Sequence, residues 1–188
     1  MSRRYEIYQM DAFTREKFSG NPAGVVLDAS GLTDTEMQRI ARELNDPETV
    51  FAFPGKEGEY DLELRFFSVT KEVPLCGHGT VGAHVIRAAR LGLEGKARLL
   101  QKTVPGVFPV EVERHGDRCR VTMYQGKTTF QEPLSRPHLL QMLKALGLEE
   151  EGLRPDCPVC AASTGSAKMM VGLRSLEKLH GLRPDMAA

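Results

Sequence analysis

Hydrophobic residues that alternate with polar ones predict a first part of the chain rich in β-strands. Leu62, Leu64 and Phe66 follow this period of two and predict a strand over residues 61–68. Similar patterns predict further strands over residues 5–12, 24–27, 48–53, 99–104, 107–113 and 118–124. The strand-rich part is expected to end near Gln125.

Two helices interrupt these strands. Thr33 and Glu36 form a capping box, and four apolar residues follow at helical spacing on one face: Met37, Ile40, Ala41 and Leu44. This helix should stop at Asn45–Pro47, because the residue before a proline avoids the α region. A second helix is predicted over residues 77–91, and its interior is apolar on more than one face. That composition is typical of a helix buried on most sides.

A polar stretch over residues 126–133 predicts a linker, and a smaller unit follows it. Ser135 is expected to cap a helix that Gly147 ends and whose inner face carries Leu139, Leu140, Leu143 and Leu146. Three short elements come next: strands over residues 159–163 and 169–173 and a helix over residues 175–182. We therefore predict two domains, residues 1–125 and residues 126–188.

The second domain is expected to be incomplete, because so few elements cannot close a sheet around a helix of their own. Its strand edges and apolar side chains would then face water unless another chain covers them, and the side chains concerned include Met169, Met170 and Val171. We expect either a homodimer or a poorly soluble chain.

Charge and hydropathy exclude several classes of partner. Lys and Arg total 25 and Asp and Glu total 25, so the chain lacks the excess of positive charge that phosphate backbones require. No apolar run approaches the roughly 20 residues that span a bilayer, and the chain opens without an apolar export segment. These features predict a cytoplasmic protein that binds neither nucleic acid nor membrane.

The four cysteines, at positions 76, 119, 157 and 160, are expected to be thiols rather than a disulfide framework. Cys157 and Cys160 do match the C-x-x-C spacing of redox and zinc sites. They lead into a strand-like run, however, and not into a helix start that would activate a thiolate. No second pair of Cys or His residues lies nearby in the sequence, so no metal site is predicted.

The start of the second predicted helix, Gly77–Thr80, is a candidate anion site. Glycines let backbone N–H groups approach a ligand closely, and a helix N-terminus supplies unpaired donors and a partial positive charge that suit a carboxylate. His78, between the two glycines, would be able to donate to a substrate or carry a proton. The alternative is a glycine-rich helix start with a capping histidine, and this short pattern does not separate the two.

Glu48 is the second candidate. It lies just after a helix stop and just before an apolar strand, and a carboxylate entering an apolar environment suits general acid–base chemistry. The alternative is an ordinary solvated glutamate in a turn.

Taken in order, the motifs of this chain resemble those of the PhzF-like (phenazine biosynthesis) family of the diaminopimelate-epimerase fold. The family's D-x-F…F-x-G-N-P-x opening is similar to residues 11–23, and its A-x-x-x-N-x-x-E-T-x-F segment is similar to residues 41–51. Its R-x-F…E-x-P-x-C-G-H run is similar to residues 65–78, and the entrance to its second domain is similar to residues 163–185. The matches extend over nearly the whole chain, which makes the resemblance specific.

The resemblance implies an α+β fold of two similar halves, each a mixed sheet curled around a central helix, with the active site between them. It implies that Glu48 is the proton-transferring acid/base, that His78 assists it, and that the substrate is bound by Asn21, Gly77, Gly79 and Thr80. It also implies an isomerase that needs no metal or organic cofactor and acts on a small carboxylated metabolite. The founding reaction of the family isomerises a dihydro-hydroxyanthranilate.

Three departures from the family pattern matter. Pro47 stands where a serine usually precedes the glutamate, and Gly79 stands where an alanine usually follows the histidine. The later D-P-x-T-G-S-A motif, which supplies an acidic partner and a second set of carboxylate-binding amides, has no counterpart, since the T-G-S-A letters of residues 164–167 fit an earlier segment. We therefore expect this chain to be inactive as an isomerase by itself.

Two other functions compete with this interpretation. In proline racemase-like enzymes of the same fold, a cysteine at the position of Cys76 is the base, although a buried thiol is more often a packing residue. A catalytically inactive protein that binds a partner through its uncovered apolar surface is the third possibility.

Overall fold

The computed structural model describes residues 3–165 and 167–185, and the chain divides into two compact units. Unit 1 comprises residues 1–125 and unit 2 comprises residues 126–188. Among the helices in these described ranges, none is long and apolar enough to cross a bilayer.

Eight strands of unit 1 form one mixed sheet. They are β1 (Ile7–Ala12), β2 (Asn21–Val26), β3 (Glu48–Lys56), β4 (Tyr60–Phe67), β5 (Glu72–Val73), β6 (Gly95–Thr103), β7 (Gly106–His115) and β8 (Arg118–Met123). The order is β1-β2-β3-β4-β6-β7-β8, and β5 pairs with β4 beside this path. The β2–β3 and β4–β6 pairs are parallel, and the other pairs are antiparallel.

Two helices, α1 (Asp34–Leu44) and α2 (Gly77–Arg90), cover opposite faces of this sheet. Val25 and Val50 pack on the α2 side with Ala83, whereas Val26 and Phe51 pack on the α1 side in a separate cluster. Helix α2 contacts β1, β2 and β3 near one end of the sheet and β7 and β8 near the other. The sheet therefore curls around α2, as the sequence predicted.

Helix α2 is buried on fewer sides than its composition predicted. The side chains facing the sheet are buried, but Val81 and Val85 are only half-buried. Both line an open cleft of about 850 Å³, together with Met10 of β1 and Val121 of β8. Strands β1 and β8 end the sheet without pairing with each other, so one side of α2 stays uncovered.

The ends of α1 follow the sequence closely. Thr33 Oγ1 accepts the Glu36 N–H at 3.2 Å, and Thr33 N–H donates to Glu36 Oε2 at 2.8 Å, which completes the predicted capping box. The helix ends at Asn45, which adopts the left-handed conformation with φ of 56°. An asparagine tolerates this conformation better than most residues.

Unit 2 contains a small antiparallel sheet and two helices. The strands are β9 (Thr129–Phe130), β10 (Cys160–Ser163) and β11 (Ala167–Met170), in the order β11-β10-β9, and the helices are α3 (Arg136–Leu146) and α4 (Leu176–His180). Strand β9 was not predicted from the sequence. Met169 and Met170 on the edge strand β11 are 44% and 48% exposed, as expected for an uncovered apolar edge.

Two expectations for α3 are wrong in detail. Leu143 is buried, but Leu140, which was placed on the same inner face, is 45% exposed. Ser135 occupies the N-cap position without making a cap hydrogen bond, because its hydroxyl pairs with His138 Nδ1 at 3.0 Å instead. Gly147 ends the helix in the left-handed conformation, as predicted.

The difference between the two caps leads to a testable prediction. Thr33→Ala should destabilise α1 by about 1 kcal/mol, because it removes the hydroxyl that accepts the Glu36 N–H, whereas the backbone N–H that donates to Glu36 remains. Ser135→Ala is the matched control and should change the stability of α3 by less than about 0.5 kcal/mol, because its hydroxyl caps nothing. Amide hydrogen exchange measured within each helix reports both effects. Equal losses in the two helices would contradict the prediction.

Candidate active site

Strands β2 and β3 place Glu48 on the face of the sheet that α2 covers. Glu48 is the first residue of β3 and pairs in parallel with the buried Ala23 of β2. Side chains two residues apart on a strand share a face, so Glu48 lies on the same side as Val50, which packs against α2. By the same periodicity Asn21, an exposed residue at the start of β2, also faces this side.

Arg65 fixes the segment that leads into α2. Its Nε and Nη2 atoms donate to the two carboxylate oxygens of Glu72 at 2.8 and 2.7 Å, and Nη1 donates to Asp34 at 2.7 Å. The guanidinium also lies over the Phe67 ring, 5.3 Å from its centroid. The two acidic partners raise the pKa of Arg65. These contacts join β4, β5 and the start of α1 just ahead of Cys76.

Glu48, His78 and Cys76 meet at the start of α2. His78 Nε2 lies 3.3 Å from Glu48 Oε2, and Cys76 Sγ lies 3.3 Å from His78 Nδ1. The side chain of His78 is only 9% exposed, while that of Glu48 is 27% exposed. The imidazole ring therefore lies between a buried thiol and a carboxylate that solvent or a ligand can reach.

The backbone N–H groups of this helix start divide into two sets. The Gly79 N–H donates to Cys76 Sγ at 3.3 Å, and the Thr80 N–H donates to the Cys76 carbonyl at 3.1 Å. Within the described part of the chain, the N–H groups of Gly77 and His78 have no acceptor. A carboxylate would therefore meet the N–H groups of Gly77 and His78 first. Substrate binding by Asn21, Gly77, Gly79 and Thr80 stays a prediction.

The two glycines serve different purposes. A Cβ atom added to Gly79 would lie 3.1 Å from Cys76 Sγ, which is tighter than most real contacts. A Cβ added to Gly77 would meet nothing within 4 Å. Gly79 thus allows Cys76 to fold back over the helix start, whereas Gly77 leaves open space where a ligand can approach.

Sequence reasoning missed three features of this region. Arg65 and Glu72 were recognised as a motif, but their pairing was not foreseen. Asp46 is buried, and its Oδ1 accepts the Gln9 side-chain N–H at 2.6 Å, which holds the loop ahead of β3. Cys76 contacts His78, for which the available signal is the C-G-H spacing at a predicted helix start.

One group of possible metal ligands lies away from the C-x-x-C pair of Cys157 and Cys160. The ligand atoms of Glu48, Cys76 and His78 all lie within 4.8 Å of one another, although no metal site was predicted here. Within residues 3–165 and 167–185 no other group of three such side chains is found, and none includes Cys157 or Cys160. Neither of these two cysteines is in a disulfide.

The sequence profile of the phenazine biosynthesis-like proteins (PhzC-PhzF) matches residues 10–188. The chain belongs to this family. An uncharacterized isomerase of Clostridium acetobutylicum is 45% identical to it over 185 residues, which are 98% of this chain and 61% of that protein. The trans-2,3-dihydro-3-hydroxyanthranilate isomerase of Pseudomonas aeruginosa is 34% identical over 95% of this chain and 61% of that enzyme.

Solved structures agree with this assignment. A Bacillus anthracis phenazine biosynthesis protein of the PhzF family superposes with a TM-score of 0.81 at 33% identity, over 95% of this chain and 59% of that one. A hydroxyproline epimerase of Agrobacterium vitis shares the fold alone, with a TM-score of 0.58 at 10% identity over 86% of this chain and 50% of that one. The predicted α+β fold of the diaminopimelate-epimerase type is therefore confirmed.

The chain spans 61% of the length of each of the two isomerases from Clostridium acetobutylicum and Pseudomonas aeruginosa. The activity, substrate and partners of the protein are therefore proposals.

Proposed function

We propose that this PhzF-like protein is an isomerase in which Glu48 moves a proton between two carbon atoms of a small carboxylated substrate. The observation that carries the proposal is the 3.3 Å contact between Glu48 Oε2 and His78 Nε2, beside the N–H groups of Gly77 and His78 that lack acceptors in the described chain. The Glu48 carboxylate, which a substrate can reach, thus lies next to backbone N–H groups that are suited to binding an anion. Membership of a family with named isomerases supports the same reaction class.

The proposed reaction consists of two proton transfers, one from the substrate and one back to it. The Glu48 carboxylate takes a proton from a substrate C–H bond, and the electron pair of that bond enters the conjugated system of the substrate. Glu48, now a carboxylic acid, returns the proton to a second carbon, so no redox partner is needed. The N–H groups of Gly77 and His78 would hold the substrate carboxylate and stabilise the negative charge that develops between the steps.

His78 is proposed as the residue that orients Glu48. Its Nε2 lies 3.3 Å from Glu48 Oε2, a close polar contact rather than an aligned hydrogen bond, and this contact would keep that carboxylate oxygen near the helix start. The ring is buried between Cys76 and Glu48, which limits its movement. We therefore assign proton transfer to Glu48 and assistance to His78.

A cysteine mechanism is the second candidate, because Cys76 Sγ lies 3.3 Å from His78 Nδ1 and an imidazole can take the thiol proton. Access favours Glu48 instead. Cys76 is 6% exposed as a residue and its sulfur already accepts the Gly79 N–H, whereas the Glu48 side chain is 27% exposed. Variants of Glu48 and Cys76 separate the two mechanisms.

The substrate class is tested by exchange with heavy water. The protein is incubated in deuterated water with a panel of small unsaturated carboxylates that includes trans-2,3-dihydro-3-hydroxyanthranilate, the compound in the name of the Pseudomonas aeruginosa relative. We expect deuterium at a substrate carbon, detected by NMR, but no net isomerisation by this chain alone, because the second carboxylate-binding motif has no counterpart in it. A chelator should not lower the rate of exchange, because the proposed proton transfer uses no metal. Absence of exchange across the panel would count against an isomerase.

A homodimer stays a further proposal. The four residues of the edge strand β11 are all exposed, and Met169 and Met170 present apolar side chains there. An uncovered apolar edge favours pairing with a second copy of the chain. A monomer in sedimentation velocity measurements would contradict this proposal.

A further inference from the structure

The group formed by Glu48, Cys76 and His78 brings one carboxylate oxygen, one sulfur and one imidazole nitrogen close together. Nε2 lies 3.3 Å from Glu48 Oε2 and 3.9 Å from Cys76 Sγ, and the three ligand atoms all lie within 4.8 Å of one another. Sulfur and imidazole nitrogen are the ligands that zinc-like ions prefer, and a carboxylate often completes such sets.

The distances suit a tetrahedral ion. Typical zinc bonds to S, N and O place neighbouring ligand atoms about 3.4–3.6 Å apart around a tetrahedral centre. The observed 3.3 Å and 3.9 Å separations lie within a few tenths of an ångström of that spacing, and the Glu48 oxygen and the Cys76 sulfur lie at most 4.8 Å apart. Side-chain rotations that close the last gap by up to about an ångström would complete the set. Three protein ligands leave a fourth coordination position of the ion open. The Glu48 side chain is partly exposed, so a ligand from solvent can approach this position.

The charges also match. A thiolate and a carboxylate together carry two negative charges, which a divalent ion neutralises in a site where His78 and Cys76 are buried. A bound ion deprotonates a coordinating thiol, so Cys76 does not have to be ionised beforehand. Secondary structure already holds two of the ligands in place. Cys76 caps α2, and Glu48, the first residue of β3, pairs with Ala23 of β2.

We infer that Glu48, Cys76 and His78 form a binding site for a zinc-class divalent ion that reversibly blocks the proton chemistry of this protein. A Glu48 oxygen bound to the ion is not available to take a substrate proton. The ion would also bind the substrate carboxylate at its open coordination position, in competition with the N–H groups of Gly77 and His78. The blocking effect rests on the proposed function. The binding of the ion does not.

The binding is tested with Co²⁺, which substitutes for Zn²⁺ and shows a thiolate-to-cobalt charge-transfer band when a cysteine coordinates it. The reduced, chelator-treated chain should bind one Co²⁺ with this band, and Zn²⁺ should displace it. Cys76→Ser should abolish the band. The matched control replaces the three other cysteines, Cys119, Cys157 and Cys160, with serine and should keep the band unchanged.

A second variant covers the case in which Cys76→Ser does not fold. Glu48→Gln should keep the charge-transfer band, because the thiol remains, but should weaken Co²⁺ binding by about tenfold or more, because one ligand is lost. A band that survives Cys76→Ser and disappears in the triple cysteine variant would overturn the site, as would wild-type protein without any band.

The blocking effect has its own readout. Saturating Zn²⁺ should reduce deuterium exchange into the substrate to the level of Glu48→Gln, and a chelator should restore it. Exchange that continues at full rate with the ion bound, or that rises, would overturn the block. If no substrate shows exchange at all, the proposed isomerase fails while the cobalt titration still decides the site.

Discussion

Glu48→Gln should reduce deuterium exchange into the substrate by about a hundredfold to ten-thousandfold, the usual contribution of a positioned acid–base group. Glutamine has nearly the same shape and can keep the polar contact with His78 Nε2, so the strand and the helix start should keep their geometry. Its neutral amide is not basic enough to take a proton from carbon. Initial rates of exchange, measured by NMR, give the size of the loss.

The matched comparison is Cys76→Ser, which changes the other group in contact with His78. If Glu48 is the base, this variant should keep exchange within about tenfold of wild type, because a serine hydroxyl can still accept the Gly79 N–H and contact His78 while Glu48 is unchanged. As a control for folding, the circular dichroism spectrum and the substrate affinity of Glu48→Gln should match those of wild type. Normal exchange in Glu48→Gln together with an inactive Cys76→Ser would assign the chemistry to the cysteine instead.

Much of the fold of unit 1 could be predicted because its signals are local. The alternation of Leu62, Leu64 and Phe66 predicted β4, and all three side chains are buried. The capping box at Thr33 and Glu36 gave the start of α1 for the same reason, since its partners lie three residues apart. Strands β5 and β9 were missed because two residues are too few to show a period.

The site could be predicted only in part. The family motifs indicated Glu48 and His78 separately, but their contact depends on the parallel pairing of β2 with β3 and on the packing of α2 over both. Such long-range geometry has no periodic signature in one sequence. The group of three possible metal ligands depends on the same packing, because the start of α2 has to lie against β3 before Cys76 and His78 approach Glu48.

The same limit applies to a buried polar pair at the centre of unit 1. His84 on α2 is 1% exposed, and its Nε2 pairs with Gln101 Oε1 of β6 at 2.8 Å. Its Nδ1 has no partner within the described residues. In the sequence, His84 lies within the apolar run Val81–Ile86 of the helix, and nothing nearby indicates that Gln101 faces it.

Lowering the pH from 7 towards 4 should destabilise unit 1 through His84. Burial, opposed by the hydrogen bond to Gln101 and helped by the positive charge of Arg87, lowers the pKa of His84 to about 4. An unfolded histidine has a pKa near 6.5, so the folded state holds the ring neutral while the unfolded state takes up a proton. The stabilisation is thus complete above about pH 6.5 and is lost as the pH falls towards 4, by roughly 3 kcal/mol in all.

Urea unfolding at a series of pH values between 7 and 4, with His84→Gln as the variant, measures this contribution. Glutamine does not titrate and can still pair with Gln101. The difference in unfolding free energy between wild type and variant should therefore shrink steadily as the pH falls. The contributions of the carboxylates to the pH dependence are common to both proteins and cancel in this difference. His115→Gln is the matched control, because it makes the same substitution at an exposed histidine of the same unit and so tests whether the effect is specific to the buried ring. An NMR titration of the His84 ring should place its midpoint well below 6.5. A midpoint near 6.5, or a His84→Gln variant as acid-sensitive as wild type, would mean that the ring is protonated inside the fold and that its burial costs the protein nothing in acid.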